Sequence, residues 1–428
     1  MSVSNPSHRD IEVRTLSNGV KIITESMPNV RSVSMGLWLG TGSRLESPKQ
    51  NGISHFIEHM LFKGTTNRTA EQIAKETDAI GGNLDAFTAK EMVSFNIKVL
   101  DEHARRGFDI LSDLLLHPLF SAEDTEKEKG VVLEELKMEV DNPEYQIHEI
   151  YCSTFWRGHA LGRSILGTRE TIRSFTPQML RDYYDSVYTP ANLVFTAAGS
   201  LRHQDMQAMA GEALEGLPAR PVGARDETPR THAQIRLKEK RSLEQTHLCL
   251  GVPIHPLPHE KRYACYVLNT ILGGSMSSRL FQNIRERQGL VYAVMSELNT
   301  YRDSASLIVS AGTSTERARQ VVSLILHELR RMKDELLPED ELRLAKDHLK
   351  GSLIMSLEST SSRMSNLARQ ELFFGRFFTI DEIAAAVEAV TAEEVQQVAS
   401  EFFRQELITL CVLGRLDGWQ MEREELAV

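Results

Sequence analysis

His55 and His59 stand four residues apart with Glu58 between them, in the run His55-Phe56-Ile57-Glu58-His59. On a helix, residues at i and i+4 share one face with Cβ atoms about 5–6 Å apart, so both imidazoles can reach one ion. Glu58 is three residues from His55 and next to His59, near that face but unable to share the ligand geometry. It can instead reach a water on the metal, which is what a general base requires. The order H-x-x-E-H reverses the commoner H-E-x-x-H zinc motif. The chemistry such a pattern permits is metal-assisted hydrolysis.

A catalytic zinc takes three protein ligands and keeps a fourth position open, so a third ligand is owed. The run EDTEKEKGVVLEELKMEVD, residues 123–141, is a predicted helix with Val131, Val132, Leu133 and Leu136 as its anchoring stripe. Within it Glu128 and Glu135 are seven apart, two helical turns, and share a face.

The elements that must position these residues follow from local signals. At 428 residues the chain exceeds one hydrophobic core and predicts two domains. Asn18-Gly19, between two alternating runs, predicts a hairpin with a type I′ turn. SVSMGLWLG reads as a third strand, and LDAFTA with MVSFNIKVL as a second hairpin. Thr69-Ala70-Glu71-Gln72 has capping-box form, and Gly81-Gly82 stops the helix it starts. Helical patterns at 102–116, 122–140, 144–156 and 177–187 precede the apolar strand LVFTAAG. Strands and helices mix without regular βαβ alternation, so the fold class expected is α+β, each domain a mostly antiparallel sheet packed with helices.

Residues 217–233 hold three prolines and almost no large apolar residue, and read as a linker between domains at 1–216 and 234–428. The two sides repeat. Thr176–Leu201 lies on Thr391–Leu416 with a constant shift of 215 and no gap, and SMGLWLG (34–40) resembles THLCLGV (246–252). Repetition at this length means two copies of one domain. The second copy has Tyr266 to Thr270 where the first has its motif, so only the first half carries that chemistry. The pair Gly273-Gly274 has no G-x-x-x-x-G-K pattern and reads as a helix stop.

A net charge of -10 argues against a nucleic-acid partner. Cys152, Cys249, Cys265 and Cys411 are scattered without close pairing and read as buried thiols in a reducing compartment. The opening MSVSNPSHRDIEV has no apolar core of a signal peptide, and no stretch approaches about 18 uninterrupted apolar residues, so no membrane is expected and the cytoplasm is.

With the motif flanks GISHFIEHMLFKGT and the segments GGNLDAFTAKE, VVLEEL and LGRSILGT (161–168), the chain resembles the pitrilysin family over essentially its whole length, in particular its mitochondrial-processing-peptidase-like branch. That resemblance implies a third zinc ligand about 76 positions beyond the second histidine; 135 − 59 = 76, so it falls on Glu135. The family's supporting carboxylate falls on Glu128, which would orient a ligand histidine. One Zn2+ per chain is implied.

In the second half, SSRLFQNIRERQGLVYAV contains Arg285 and Tyr292. From the residues alone they read as a solvated arginine among charges and a packed strand tyrosine. The resemblance makes them donors to substrate carbonyls beside the zinc. It further implies a closed chamber of four related domains, hence a homodimer or a heterodimer with a related chain, acting on unfolded or presequence-like peptides. Such peptides add a strand to a sheet edge, which the resemblance puts at Asp85-Ala86-Phe87. Asp85 departs from the family's usual asparagine; an ionised carboxylate accepts but does not donate, and a preference for basic residues nearby follows as an expectation. The rival reading from another class is a non-catalytic assembly subunit, but members of that kind usually lose motif residues, and here they are present.

Overall fold

The computed structural model describes residues 9–218 and 227–428. The chain forms two compact units. The first gathers the described residues of Met1–Leu136, Ser164–Asp226 and Met355–Thr379; the second those of Lys137–Arg163, Glu227–Ile354 and Ile380–Val428.

The first unit is built on a six-stranded sheet of β1 (Asp10–Thr15), β2 (Lys21–Ser26), β3 (Ser32–Leu39), β4 (Asn83–Thr88), β5 (Val93–Leu100) and β6 (Leu193–Gly199), in the order β1-β2-β6-β3-β5-β4. The β2–β6 pair is parallel and the others antiparallel. The second unit has β7 (Ile235–Glu239), β8 (Thr246–Pro253), β9 (Val291–Thr300), β10 (Ala305–Thr313) and β11 (Thr409–Gly414), in the order β7-β11-β8-β10-β9, with β7–β11 parallel. Without β1 the first sheet has the same order and the same single parallel pair. The repeat in the sequence is therefore a repeat of topology, and the helices Pro177–Val187 and Ala392–Phe402 lead into equivalent strands β6 and β11.

The equivalence of the third strands differs by one residue from the sequence match. Thr196 and Cys411 correspond under the 215 shift, and their antiparallel partners are Gly36 and Cys249. The offset of the third strand is thus 249 − 36 = 213, not the 246 − 34 = 212 read from composition. A one-residue slip exchanges the two faces of a strand, and composition cannot see that where both faces are apolar. Both faces are buried here, since β3 and β8 are buried almost throughout.

One face of the first sheet packs against α1 (Ile53–Leu61), α2 (Ala70–Ala79) and α3 (Ala104–Leu116), joined in one core by Phe56, Ile57, Ile73, Phe108, Leu111 and Leu37. After α3 comes α4 (Ala122–Asp141), then α5 (Pro143–Phe155). The other face of the sheet is covered by a helix from the far end of the chain, Thr360–Phe374, whose Met364, Leu367 and Ala368 pack on Ile23, Trp38, Val194 and Ala198. In the second unit the covering helix is α5, whose Ile147, Ile150, Tyr151 and Phe155 pack with Cys249, Ile308, Cys411 and Leu413. Each unit thus takes one helix from the other repeat. A single cut at 217–233 separates the repeats in sequence but not the units, because the apolar faces of these two helices are buried on the opposite copy. Within the expected linker, residues 219–226 lie outside the described residues.

Local expectations meet the structure with two corrections. The capping box forms as read: Thr69 Oγ1 accepts from the Gln72 amide at 3.2 Å and Gln72 Oε1 from the Thr69 amide at 2.8 Å. The first hairpin forms, but its loop spans 16–20, closed by the Leu16 amide on the Val20 carbonyl at 2.8 Å. Only Gly19 takes a positive φ (+99°) in it, so the turn is wider than the two-residue type I′ expected. In α4, Val132 is buried, but Val131, expected in the anchoring stripe, is 50% exposed. Leu133 and Leu136 of the same stripe pack against the core, and the buried positions are Val132 with Thr125 and Glu128, polar residues that hydrophobic periodicity does not detect. All four cysteines are free thiols. Among the described residues no helix is long and apolar enough to cross a membrane.

Candidate metal centre

The motif lies on α1, whose Ile53, Phe56, Ile57, Met60 and Leu61 enter the core and leave His55, Glu58 and His59 on the remaining face. The helix begins after Gly52, which has a left-handed φ of +93° and offers no capping side chain. A Cβ at Gly52 would stand 2.5 Å from the Leu166 carbonyl oxygen, so only glycine allows LGRSILGT to approach the start of the motif helix. Glu46 supplies the cap instead. Its Oε1 accepts from the Ser54 amide at 2.9 Å, and its Oε2 from the Gly52 amide at 2.8 Å and Asn51 Nδ2 at 3.2 Å. A carboxylate at a helix N-terminus satisfies orphan amides and the helix dipole together. His55 sits in that first turn, so its position depends on the cap.

Glu135, from α4, meets the two histidines. His55 Nε2 lies 3.7 Å from Glu135 Oε1, and His59 Nε2 lies 3.5 Å from Glu135 Oε2. One ligand atom from each of the three residues can be chosen within 4.8 Å of the others, and among the described residues this is the one such group. The separations are too long for good hydrogen bonds. They match ligands around a tetrahedral zinc, where legs of about 2.0–2.2 Å put donor atoms roughly 3.3–3.6 Å apart. Glu135 Oε2 is buried and makes no hydrogen bond, as an oxygen reserved for an ion would be. Two imidazoles and a carboxylate are also the donor set of known catalytic zinc sites, so the residues fit the group.

Glu128 stands behind the ligands. It is 3% exposed, and its Oε1 lies 2.8 Å from His59 Nδ1 while its Oε2 pairs with Lys63 Nζ at 2.7 Å. Holding Nδ1 turns Nε2 toward the metal position and makes it a better donor. Burial opposes the Glu128 carboxylate, but His59 and Lys63 outweigh it and hold its pKa below the usual range. Glu135 is lowered by the nearby His59, with burial opposing and His55 adding to the effect.

The two histidines are pushed apart. Burial, aided by the charge of His59, lowers His55 to about 4, leaving it neutral as a ligand must be. For His59 burial works against the cation, but Glu128 and Glu135 outweigh it and raise it to about 9. Glu58 is raised above the ordinary carboxyl range, chiefly by burial, with the Thr88 hydrogen bond opposing. A base with a raised pKa is better matched to taking a proton near neutral pH.

Two contacts escaped the sequence reading. Thr88 donates its hydroxyl to Glu58 Oε2 at 2.5 Å, and Lys63 holds Glu128. Thr88 lies inside the quoted segment GGNLDAFTAKE and Lys63 inside GISHFIEHMLFKGT, but nothing in their spacing says what they touch.

Asp85, Ala86 and Phe87 lie on β4, the edge strand of the first sheet. Alternation splits them. Ala86 faces the α1 side, while Asp85 and Phe87 share the opposite face, where the Phe87 ring meets Trp38 at 5.8 Å. Arg285 and Tyr292 belong to the second unit, on the π-helical segment Phe281–Glu286 and on β9, that unit's edge strand. Arg285 Nε donates to the Tyr292 carbonyl at 2.9 Å. Tyr292 is 84% exposed, which rules out the packed strand tyrosine.

Fold and site together define a two-domain chain with an inverted motif and a candidate metal centre in its first repeat. Comparison gives the family. A family model described as "Insulinase (Peptidase family M16)" matches residues 21–169, and one described as "Peptidase M16 inactive domain" matches 174–349. The "Uncharacterized zinc protease YmxG" of Bacillus subtilis is 42% identical over 92% of this chain and 95% of its own length. The "Uncharacterized zinc protease SCO5738" of Streptomyces coelicolor is 36% identical over 97% of this chain and 92% of its own. A solved protease from Helicobacter pylori has the same fold, with a TM-score of 0.89 at 20% identity over 95% of this chain and all of that one. The chain belongs to peptidase family M16, the pitrilysin family.

Proposed function

We propose that the chain is a zinc metalloendopeptidase that hydrolyses unfolded or presequence-like peptides inside a closed dimeric chamber. The observation that carries this reading is the convergence of His55, His59 and Glu135 at ligand spacing, with Glu58 beside them and Glu128 behind. Relatives that carry the name zinc protease support it.

His55, His59 and Glu135 would hold one zinc ion, which when bound supplies a Lewis acid that lowers the pKa of water and polarises a carbonyl. Glu58 takes the proton from the attacking water as it adds to the scissile carbonyl. The C–N bond then breaks, and Glu58 returns the proton to the leaving amine. Glu128 keeps His59 in the tautomer that presents Nε2. The peptide pairs with the edge of β4 at Asp85-Ala86-Phe87, where main-chain hydrogen bonds demand little of the sequence. Asp85 in place of an asparagine favours basic side chains on its face of the strand. Arg285 and Tyr292, from the second copy in a dimer, serve as donors to substrate carbonyls; the exposure of Tyr292 is compatible with that role. The four free thiols, of which Cys249, Cys265 and Cys411 are buried and Cys152, against expectation, only partly so, support a cytoplasmic site of action.

Metal analysis and peptide hydrolysis by the purified chain, with Glu58→Gln alongside, test the reading. Zinc near one per chain in both and activity lost only in Glu58→Gln is the expected result. A Glu58→Gln chain as active as the wild type would sink it.

A further inference from the structure

We propose that Thr88 is a positioning residue for the general base, tying the aim of the Glu58 carboxylate to the edge strand that takes the peptide; this rests on the peptidase reading above. Thr88 is the last residue of β4. Even-numbered residues of the strand face the α1 side, where Leu84 and Ala86 pack on the core, and Thr88 continues that row. Its hydroxyl donates to Glu58 Oε2 at 2.5 Å.

A carboxylate on a two-torsion stem next to a buried helix face has several ways to turn. A hydroxyl on one oxygen removes most of them. With Oε2 held, Oε1 is the oxygen left to take a proton, and its direction is set by β4 rather than by α1, on which Glu58 itself stands. The same strand presents the proposed peptide-pairing edge. Base and scissile bond are therefore referenced to one rigid element, and near-attack geometry depends on this contact more than on the overall fold. The two residues of the pair lie 30 positions apart, on different elements, which is why neither periodicity nor motif spacing points to Thr88.

The role differs from that of a metal ligand. Among the described residues the Thr88 hydroxyl bonds to Glu58 and makes no hydrogen bond to His55, His59 or Glu135, so it should matter to turnover and not to zinc uptake. It differs also from a packing role, because threonine and valine are nearly isosteric and both suit a strand.

The test compares wild type, Thr88→Val and Thr88→Ser, with zinc content, thermal midpoint, KM and kcat measured on one unfolded peptide. The expected result is a kcat about 10- to 100-fold lower in Thr88→Val, the size of a lost hydrogen bond to a charged group. KM, zinc content and thermal midpoint stay at wild-type values, and Thr88→Ser restores most of the rate. Unchanged kcat in Thr88→Val overturns the proposal, as does a fall in zinc content or midpoint that parallels the loss of rate, or a change confined to KM. Failure of Thr88→Ser to recover the rate also overturns it, since serine keeps the donor. An inactive wild-type chain would remove the peptidase reading and this inference with it, whereas an active wild type matched by Thr88→Val removes this inference alone.

Discussion

His59 Nδ1 lies 2.8 Å from Glu128 Oε1, and the other oxygen of that carboxylate lies 2.7 Å from Lys63 Nζ, so one buried glutamate joins an imidazole of the candidate metal centre to a cation. The cation matters: without it the carboxylate would be a buried charge answered only by a histidine that must give up its own charge to bind metal.

The first prediction follows from that chain of contacts. Glu128→Gln should weaken zinc binding by about 10- to 100-fold, the usual effect of removing a partner behind a ligand histidine. Competition with a chromophoric chelator measures it. Lys63→Met should move affinity in the same direction by less, since the carboxylate remains. Wild-type affinity in Glu128→Gln would show that His59 is oriented by packing alone.

A pH prediction concerns Asp113, on α3, away from the metal. Its Oδ2 accepts from Thr65 Oγ1 at 2.7 Å and Arg68 at 2.8 Å, and its Oδ1 from Asn67 Nδ2 at 2.6 Å. Burial opposes the carboxylate, but these donors outweigh it and hold its pKa below the ordinary value of 3.8. A carboxyl whose folded pKa is depressed contributes stability that is present above its unfolded pKa and lost as pH falls through the folded one. Asp113→Asn should therefore lower the thermal midpoint at neutral pH, with a cost on the order of 1–3 kcal/mol for the lost charged hydrogen bonds. The gap to wild type should narrow below about pH 4. Melting curves from pH 3 to 7 decide it, and a gap that stays constant down to pH 3 would refute the assignment.

The legible part of this protein is the part in which chemistry and local structure coincide. His55, Glu58 and His59 share one short helix, and their i, i+4 spacing is visible without a fold. Glu135 and Glu128 are visible as two carboxylates on one helix face; which of them reaches both histidines comes from the resemblance, and the geometry groups Glu135 with His55 and His59. Thr88 and Lys63 were not legible, because a hydroxyl and an ammonium carry no spacing rule and gain their roles only from elements brought together by the sheet and core. The same reason hid the exchange of helices. Both α5 and the helix Thr360–Phe374 have apolar positions, but periodicity says only that a face is buried, not on which copy of a repeated sheet.

That exchange yields the last prediction. Residues 1–216, the expected first domain, lack the helix Thr360–Phe374 that covers Ile23, Trp38, Val194 and Ala198. They also lack Asn366, which accepts from Arg9 at 3.0 Å, and Arg363, which pairs with the fully buried Glu25. Each large apolar side chain left in water costs about 1.5–3 kcal/mol, so uncovering this face costs an amount comparable with the roughly 5–15 kcal/mol that stabilises a whole domain. The buried Glu25 would keep only Arg9 as a charged partner, and that pair itself loses its cover. Expressed alone, 1–216 should aggregate or melt without cooperativity, and co-expression with 217–428 should recover a soluble complex. Sedimentation and near-ultraviolet circular dichroism of the tryptophan signals measure both. A monomeric 1–216 with a sharp melting transition would mean that the far helix is an accessory to the first sheet rather than a part of its core.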